Sequence, residues 1–109
     1  MSMRKDWEAE TKKLERMAIK PSIFRGNFGA ALDAFEKADK KAVGLKGGNK
    51  TDFAAAKQDR TQKAGEAAVF TRTYDGILKG LTTTPMQKLV VDEALNTLTD
   101  IALQLSRPL

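Results

Sequence analysis

The chain has 109 residues, of which 41% are apolar and 30% are charged, and it contains neither cysteine nor histidine. This length is typical of one domain, so we expect a single domain over residues 1–109. The composition is that of a folded chain and excludes a disordered protein. The two missing residue types exclude disulfides, thiolate chemistry and zinc sites built from cysteine or histidine.

The apolar stretches of the sequence are short. None exceeds four residues, whereas a membrane-spanning helix needs about 20. The first residues are charged and lack the apolar run of a signal peptide. We therefore expect no membrane insertion and a cytoplasmic location, with secretion by a route that needs no signal peptide left open.

Helical spacing of apolar residues predicts a first helix over residues 4–19, ended by Pro21. Its only tryptophan, Trp7, is expected to anchor the core because of its large area. The second helix is predicted to begin at Ser22 or Asn27 and to end near Val43. Its core face comprises Phe24, Phe28, Ala31, Leu32, Phe35, Ala38 and Ala42.

Residues 44–50 form a glycine-rich segment that predicts a flexible connection, with Gly44 as a left-handed helix stop. A long third helix is predicted over residues 50–80, capped by Asn49 or Thr51. Residues 57–63 within it are polar on every side. This stretch is predicted to project into solvent, to break, or to meet a polar partner.

The last helix has the strongest start signal, because Thr84, Pro85 and Gln87 fit a capping box with proline at the first helical position. Leu103 falls on its polar side and is expected to be exposed. A wide apolar arc predicts that this helix touches several neighbours. The arc comprises Met86, Leu89, Val90, Val91, Ala94, Leu95, Leu98, Ile101, Ala102 and Leu105.

Four helices with short connections predict an all-α fold, a single small antiparallel helical bundle of four helices. The alternative is a three-helix core with a loosely attached first helix. The sequence contains no repeat of fixed period, and no heptad pattern is sustained over enough length to predict a long coiled coil.

The residue inventory argues against an enzyme. Serine occurs only at positions 2, 22 and 106, and no strand is predicted that could carry a nucleophile elbow. The carboxylate pairs Asp6/Glu10 and Asp92/Glu93 resemble solvated helix faces with lysines nearby. We therefore predict a protein without catalytic residues, cofactor or metal site.

Residues 44–51 nearly match the phosphate-loop pattern G-x-x-x-x-G-K-[ST]. Asn49 stands where the pattern requires glycine, and the segment follows a helix, whereas a true phosphate loop follows a strand. Nucleotide hydrolysis is therefore rejected. Adventitious binding of phosphate near Lys46 and Lys50 is the weaker hypothesis that survives.

Positive charge is concentrated in the N-terminal half. Residues 1–50 carry the whole net charge of +5, and residues 51–109 are neutral. The basic residues are interleaved with acidic ones, which is typical of a solvated face. The candidate contacts for a partner or a phosphate are Lys37, Lys40, Lys41, Lys46, Lys50, Lys57, Arg60 and Lys63.

These features favour a non-enzymatic module that binds another protein through helical faces, as an adaptor, chaperone, inhibitor or assembly subunit does. The partner could be a second copy of the chain, and the first helix is then the expected contact. The alternative is non-specific binding of nucleic acid by the basic N-terminal half. No helix-turn-helix signature or aromatic run for reading bases is visible.

Overall fold

The computed structural model describes residues 2–19 and 27–109 and contains no strand within them. The described residues form four helices, α1 (Met3–Arg16), α2 (Asn27–Leu45), α3 (Lys50–Lys79) and α4 (Pro85–Leu105). The predicted all-α bundle is therefore confirmed. No described helix combines the length and the apolar content needed to cross a membrane.

The helices pack in a ring, in which α1 and α3 each lie against both α2 and α4. Helices α1 and α4 run antiparallel, because Glu10 Oε1 accepts from Thr97 Oγ1 at 3.2 Å while Lys13 Nζ, further along α1, lies 3.3 Å from Glu93 Oε2, earlier on α4. The bundle is elongated, with extents of 54 × 20 × 19 Å. Because α1 buries Met3, Trp7 and Leu14, the alternative with a loose first helix is wrong.

The core of the bundle is built around four aromatic rings. Trp7 stacks on Tyr74 at a centroid distance of 5.7 Å, and Phe28 meets Trp7, Tyr74 and Phe70 at 5.6, 5.3 and 5.7 Å. These rings come from α1, α2 and α3, so one cluster ties three helices together. Trp7 is 3% exposed, which confirms its predicted place in the core.

Burial raises the pKa of the Tyr74 phenol above its ordinary value of 10.0. Because the folded state holds this proton more tightly than the unfolded state, the free energy of unfolding should fall as the pH rises above about 10. Tyr74 is the only tyrosine, so the near-ultraviolet phenolate absorbance reports on it alone. We expect its titration midpoint to lie above that of the urea-unfolded chain, and coincident midpoints would contradict this assignment.

Helix α1 ends earlier than the sequence predicts. Its last turn closes with two backbone bonds, from Ala18 N–H to Glu15 O and from Ile19 N–H to Leu14 O, each 3.0 Å long. This is the Schellman pattern, and the buried side chains of Leu14 and Ile19 supply its apolar contact. The helix therefore stops at Arg16 through local capping, before the predicted end at residue 19.

Ala18 occupies the left-handed position of this cap with φ of 60°. Glycine adopts that conformation without the clash that a Cβ causes. We expect Ala18→Gly to raise the free energy of unfolding by about 1 kcal/mol, measured by urea unfolding. The exposed helical position Ala9 supplies the matched control, because Ala9→Gly should lower stability by about 1 kcal/mol.

The connection between α2 and α3 is shorter than predicted. Gly44 does not end α2, which continues to Leu45, and the left-handed glycine is Gly47 with φ of 87°. Helix α2 begins at Asn27 in the described chain. The alternative start at Ser22, the predicted stop at Pro21 and the predicted core residue Phe24 lie outside the described residues.

Helix α3 runs unbroken through the polar residues 57–63, which decides against a break there. The predicted start of α4 is confirmed, because Thr84 Oγ1 accepts from the Gln87 N–H at 3.2 Å and the Gln87 side chain accepts from the Thr84 N–H at 3.0 Å. The predicted apolar arc of α4 is too wide. Met86 and Leu89 are exposed, at 70% and 67%, and Ala102 is exposed as well, whereas Leu103 is exposed as predicted.

Candidate binding surface

The α2–α3 hairpin extends beyond the ends of the other two helices. The start of α1 is level with Glu36, whose Oε1 accepts from the Met3 N–H at 2.9 Å. The end of α4 is level with Arg60, whose Nη2 donates to the Arg107 carbonyl at 2.8 Å. Past that level α2 and α3 continue as a pair for about 14 Å. We call residues 37–59 the arm.

The two helices of the arm meet along a thin seam of small side chains. Ala38 and Ala42 of α2 and Ala56 of α3 are buried, but they lie outside the apolar cluster that forms the main core. Leu45 and Phe53 are only half-buried. The arm therefore presents most of its surface to solvent.

Most of the predicted cationic contacts are on the arm, and all of those are exposed: Lys37, Lys40, Lys41, Lys46, Lys50 and Lys57. The arm also contains Asp39, Asp52 and Asp59, so it carries +3 of the chain's net +5. Lys63 is half-buried in the four-helix part, and Arg60 is buried at the base of the arm. The structure thus gathers six of the eight predicted residues on one projecting element.

Arg60 fixes the base of the arm to the bundle. Its Nε donates to Asp39 Oδ1 at 2.7 Å, its Nη2 donates to the Arg107 carbonyl, and its guanidinium carbon lies 5.3 Å from the centroid of the Phe35 ring. The side chain is only 10% exposed. Residues 57–63 therefore do meet a polar partner, but that partner belongs to the same chain.

A notch of about 420 Å³ lies between the arm and the end of α4. Its cationic groups are Lys40, Lys46, Arg60 and Arg107, and its carboxylates are Glu36 and Asp39. Met3, Phe35 and Val43 add apolar surface. The notch therefore combines a net positive charge with apolar walls, which is a combination that no linear motif of the sequence indicates.

A second, acidic groove of about 250 Å³ lies between α1 and α4 and includes Asp6, Glu10 and Asp100. The expectation that Glu10 is solvated is wrong, because this residue is 9% exposed. Its Oε1 accepts from Thr97 Oγ1 at 3.2 Å, while its Oε2 is buried with no hydrogen-bond partner. In the described part of the chain, no group of three or more carboxylates is placed to hold a metal ion.

In the segment that resembles a phosphate loop, the N-terminal cap of α3 already engages backbone N–H groups. Asn49 Oδ1 accepts from the backbone N–H groups of Thr51 and Asp52 at 2.9 and 3.2 Å, and the Asn49 carbonyl accepts from the Phe53 N–H. Two of the amides that a phosphate would need are therefore already bonded.

The small-residue face of α3 is used inside the monomer, since Ala67 is fully buried and Ala64 and Ala68 pack against the core. Among the described residues, the large apolar side chains with the greatest exposure are Val43, Val69, Met86, Leu89 and Leu103. Exposed apolar residues are ordinary when they are single. Met86 and Leu89 are three residues apart and share a face of α4.

No family model, no curated protein and no solved structure matches this chain. The arm, the notch and the acidic groove are therefore the features on which a functional proposal depends.

Proposed function

We propose that this protein is a non-enzymatic helical module that binds another protein through its arm, in the manner of an adaptor, chaperone, inhibitor or assembly subunit. The observation that supports this proposal is the arm itself. It projects from the four-helix bundle, exposes side chains on both of its helices, and carries six exposed lysines. A helical surface of this kind suits a protein partner.

The charge of the arm indicates the kind of partner that fits. Because the arm carries +3, an acidic surface would be attracted and a basic one repelled. The arm's lysines are exposed, so each contact with an acidic group would contribute little energy and would weaken at high salt. We therefore expect electrostatics to guide association, and apolar contacts such as Val43 to hold the complex.

Nucleic acid is the second candidate, and the same six lysines favour it, because phosphate contacts need only cations and release counterions. Two features make it the weaker candidate. Asp52 and Asp59 are exposed on the arm together with the lysines, and they would repel a phosphate backbone. The only aromatic residue of the arm, Phe53, is half-buried, so no ring is offered for stacking on bases.

A second copy of the chain is a further possible partner, but α1 is a poor candidate for that contact. The apolar residues Met3, Trp7 and Leu14 are buried within the monomer and are not available to a second molecule. If copies associate through an apolar surface, Met86 and Leu89 are better placed.

The proposal is tested with a photocrosslinking amino acid inserted in the living cell at Val43 or Gln58, one on each helix of the arm. Val69, which is exposed on α3 beyond the arm, is the control position. We expect a discrete protein adduct from an arm position and none from Val69. The same adduct should be lost in the triple variant K40E/K41E/K46E.

The matched charge control is K5E/K12E/K88E, which reverses three exposed lysines outside the arm and should keep the adduct. If the adducts disappear after nuclease treatment, the partner is nucleic acid, and the proposal of a protein partner is wrong. Equal adducts from Val69 and the arm positions, or none from the arm, would overturn the proposal.

A further inference from the structure

The notch contains a buried cation with unused hydrogen-bonding capacity. Arg60 is 90% buried through its side chain, and two of its three guanidinium nitrogens are engaged by Asp39 and by the Arg107 carbonyl. The third, Nη1, bonds to none of the described residues. It is also not among the buried unpartnered atoms, so it is open to the notch that Arg60 lines. A guanidinium held in this way is preorganised for an anionic oxygen.

The carboxylates of the notch do not neutralise this site. Glu36 Oε1 accepts the Met3 N–H, and Asp39 Oδ1 accepts from Arg60. Against these two carboxylates stand four cations, of which Lys40 and Lys46 come from the arm. The side chains that line the notch therefore carry a net charge of +2.

Apolar surface lies directly beside these cations. Val43 is 55% exposed on the wall of the notch, which the buried residues Met3 and Phe35 also line. A nucleic-acid backbone carries a negative charge at every phosphate. It would gain nothing from the apolar side chain of Val43, and the carboxylates of Glu36 and Asp39 would repel it. A peptide in which acidic and aliphatic side chains are neighbours matches both kinds of wall.

We propose that the notch binds an acidic segment of the partner protein, in which one carboxylate pairs with Arg60 Nη1 and a neighbouring aliphatic side chain lies against Val43. Lys40 and Lys46 at the rim attract further acidic residues of the segment. This inference rests on the proposed function, because it names the chemistry of the partner and the place where the partner is held.

The test is an NMR titration of the ¹⁵N-labelled full chain with the peptide acetyl-Gly-Leu-Glu-Leu-Asp-Leu-Gly-amide. We expect the amide shifts that change to fall within residues 36–46 and 104–108. The isosteric peptide with glutamine and asparagine should bind at least about tenfold more weakly, because the charge-assisted bond to Arg60 is lost.

Two matched variants locate the contact without disturbing Arg60 or the fold. Lys40 and Lys41 are adjacent and exposed on α2, but only Lys40 lines the notch. Lys40→Gln should weaken the acidic peptide about fivefold, whereas Lys41→Gln should change its affinity by less than about twofold. Equal effects of the two variants would overturn the notch as the site, as would binding of the neutral peptide with equal affinity.

Two further probes separate a peptide site from a general anion site. A random single strand of about 12 nucleotides, a length within the site sizes of proteins that bind single strands, should bind more weakly than the peptide and should respond equally to Lys40→Gln and Lys41→Gln. Tighter binding of the strand at the notch, or the same shifts from inorganic phosphate alone at equal concentration, would overturn the proposal.

The failure of this inference is distinguishable from failure of the proposed function. If the peptide does not bind while the protein adduct at Gln58 persists, the arm binds protein but the notch is not the acidic site. If the peptide binds in the notch and no protein adduct forms from the arm, the notch recognises acidic peptides as inferred, but the proposed function of the arm is wrong.

Discussion

Phe28→Ala should lower the free energy of unfolding by about 3–5 kcal/mol, the range typical of a fully buried phenylalanine. Phe28 is 0% exposed and its ring contacts those of Trp7, Phe70 and Tyr74. Removing it opens a cavity at the point where α1, α2 and α3 meet. Urea unfolding followed by circular dichroism measures the loss as a lower midpoint with an unchanged slope.

The loss is a large fraction of the stability of the domain, since small domains are stable by only about 5–15 kcal/mol. Phe28→Leu keeps most of the volume and should cost less than about 2 kcal/mol, so it gives a readable value if the alanine variant does not fold. Val69→Ala, at an exposed position, should change stability by less than about 0.5 kcal/mol. A loss below 1 kcal/mol for Phe28→Ala would contradict the aromatic core described above.

The parts of the fold that follow from local rules could be predicted from the sequence. The capping box at Thr84 and the spacing of Phe28, Leu32 and Phe35 depend on residues within one or two turns. Both are found as predicted. The number of helices follows as well, because each has a separate start or stop signal and a face to bury.

The predictions that failed depend on neighbours that the periodicity does not describe. Met86 and Leu89 belong to the apolar arc of α4 but are exposed. The spacing of apolar residues indicates which side of a helix is buried, but it does not indicate how wide a strip of that side the neighbouring helices cover. The end of α1 was placed too late because the Schellman cap uses alanine at a position where glycine is the usual signal. Helix continuity through Gly44 was missed because a single glycine costs only about 1 kcal/mol.

The candidate site was predictable in its charges and not in its geometry. The positions of the lysines in the sequence were enough to identify the basic segment. In the structure, most of this segment forms the arm. The burial of Arg60 was not predictable, since its partners Asp39 and Arg107 are 21 and 47 residues away in the sequence. The same holds for Glu10, whose partner Thr97 lies 87 residues away. Polar residues that meet across the bundle leave no periodic signal.

Arg60→Gln should lower the free energy of unfolding by about 2–3 kcal/mol, because it removes a charge-assisted bond to Asp39, a bond to the Arg107 carbonyl and the contact with Phe35. The value lies below that of a fully buried ion pair, since the Asp39 side chain is 38% exposed and partly screened by water. Lys57→Gln, one turn earlier on α3 and exposed, is the control and should cost less than about 0.5 kcal/mol.

The part of the structure that is destabilised tests the role of Arg60 more sharply than the size of the loss in unfolding free energy does. If Arg60 fixes the arm to the bundle, amide hydrogen exchange in Arg60→Gln should accelerate more within residues 37–59 than around Phe28 and Tyr74. Arg60→Lys should give an intermediate result, because lysine keeps the charge but lacks the planar fork that bonds two acceptors at once. Uniform acceleration across all four helices would mean that Arg60 supports the bundle as a whole and that the arm has no separate anchor.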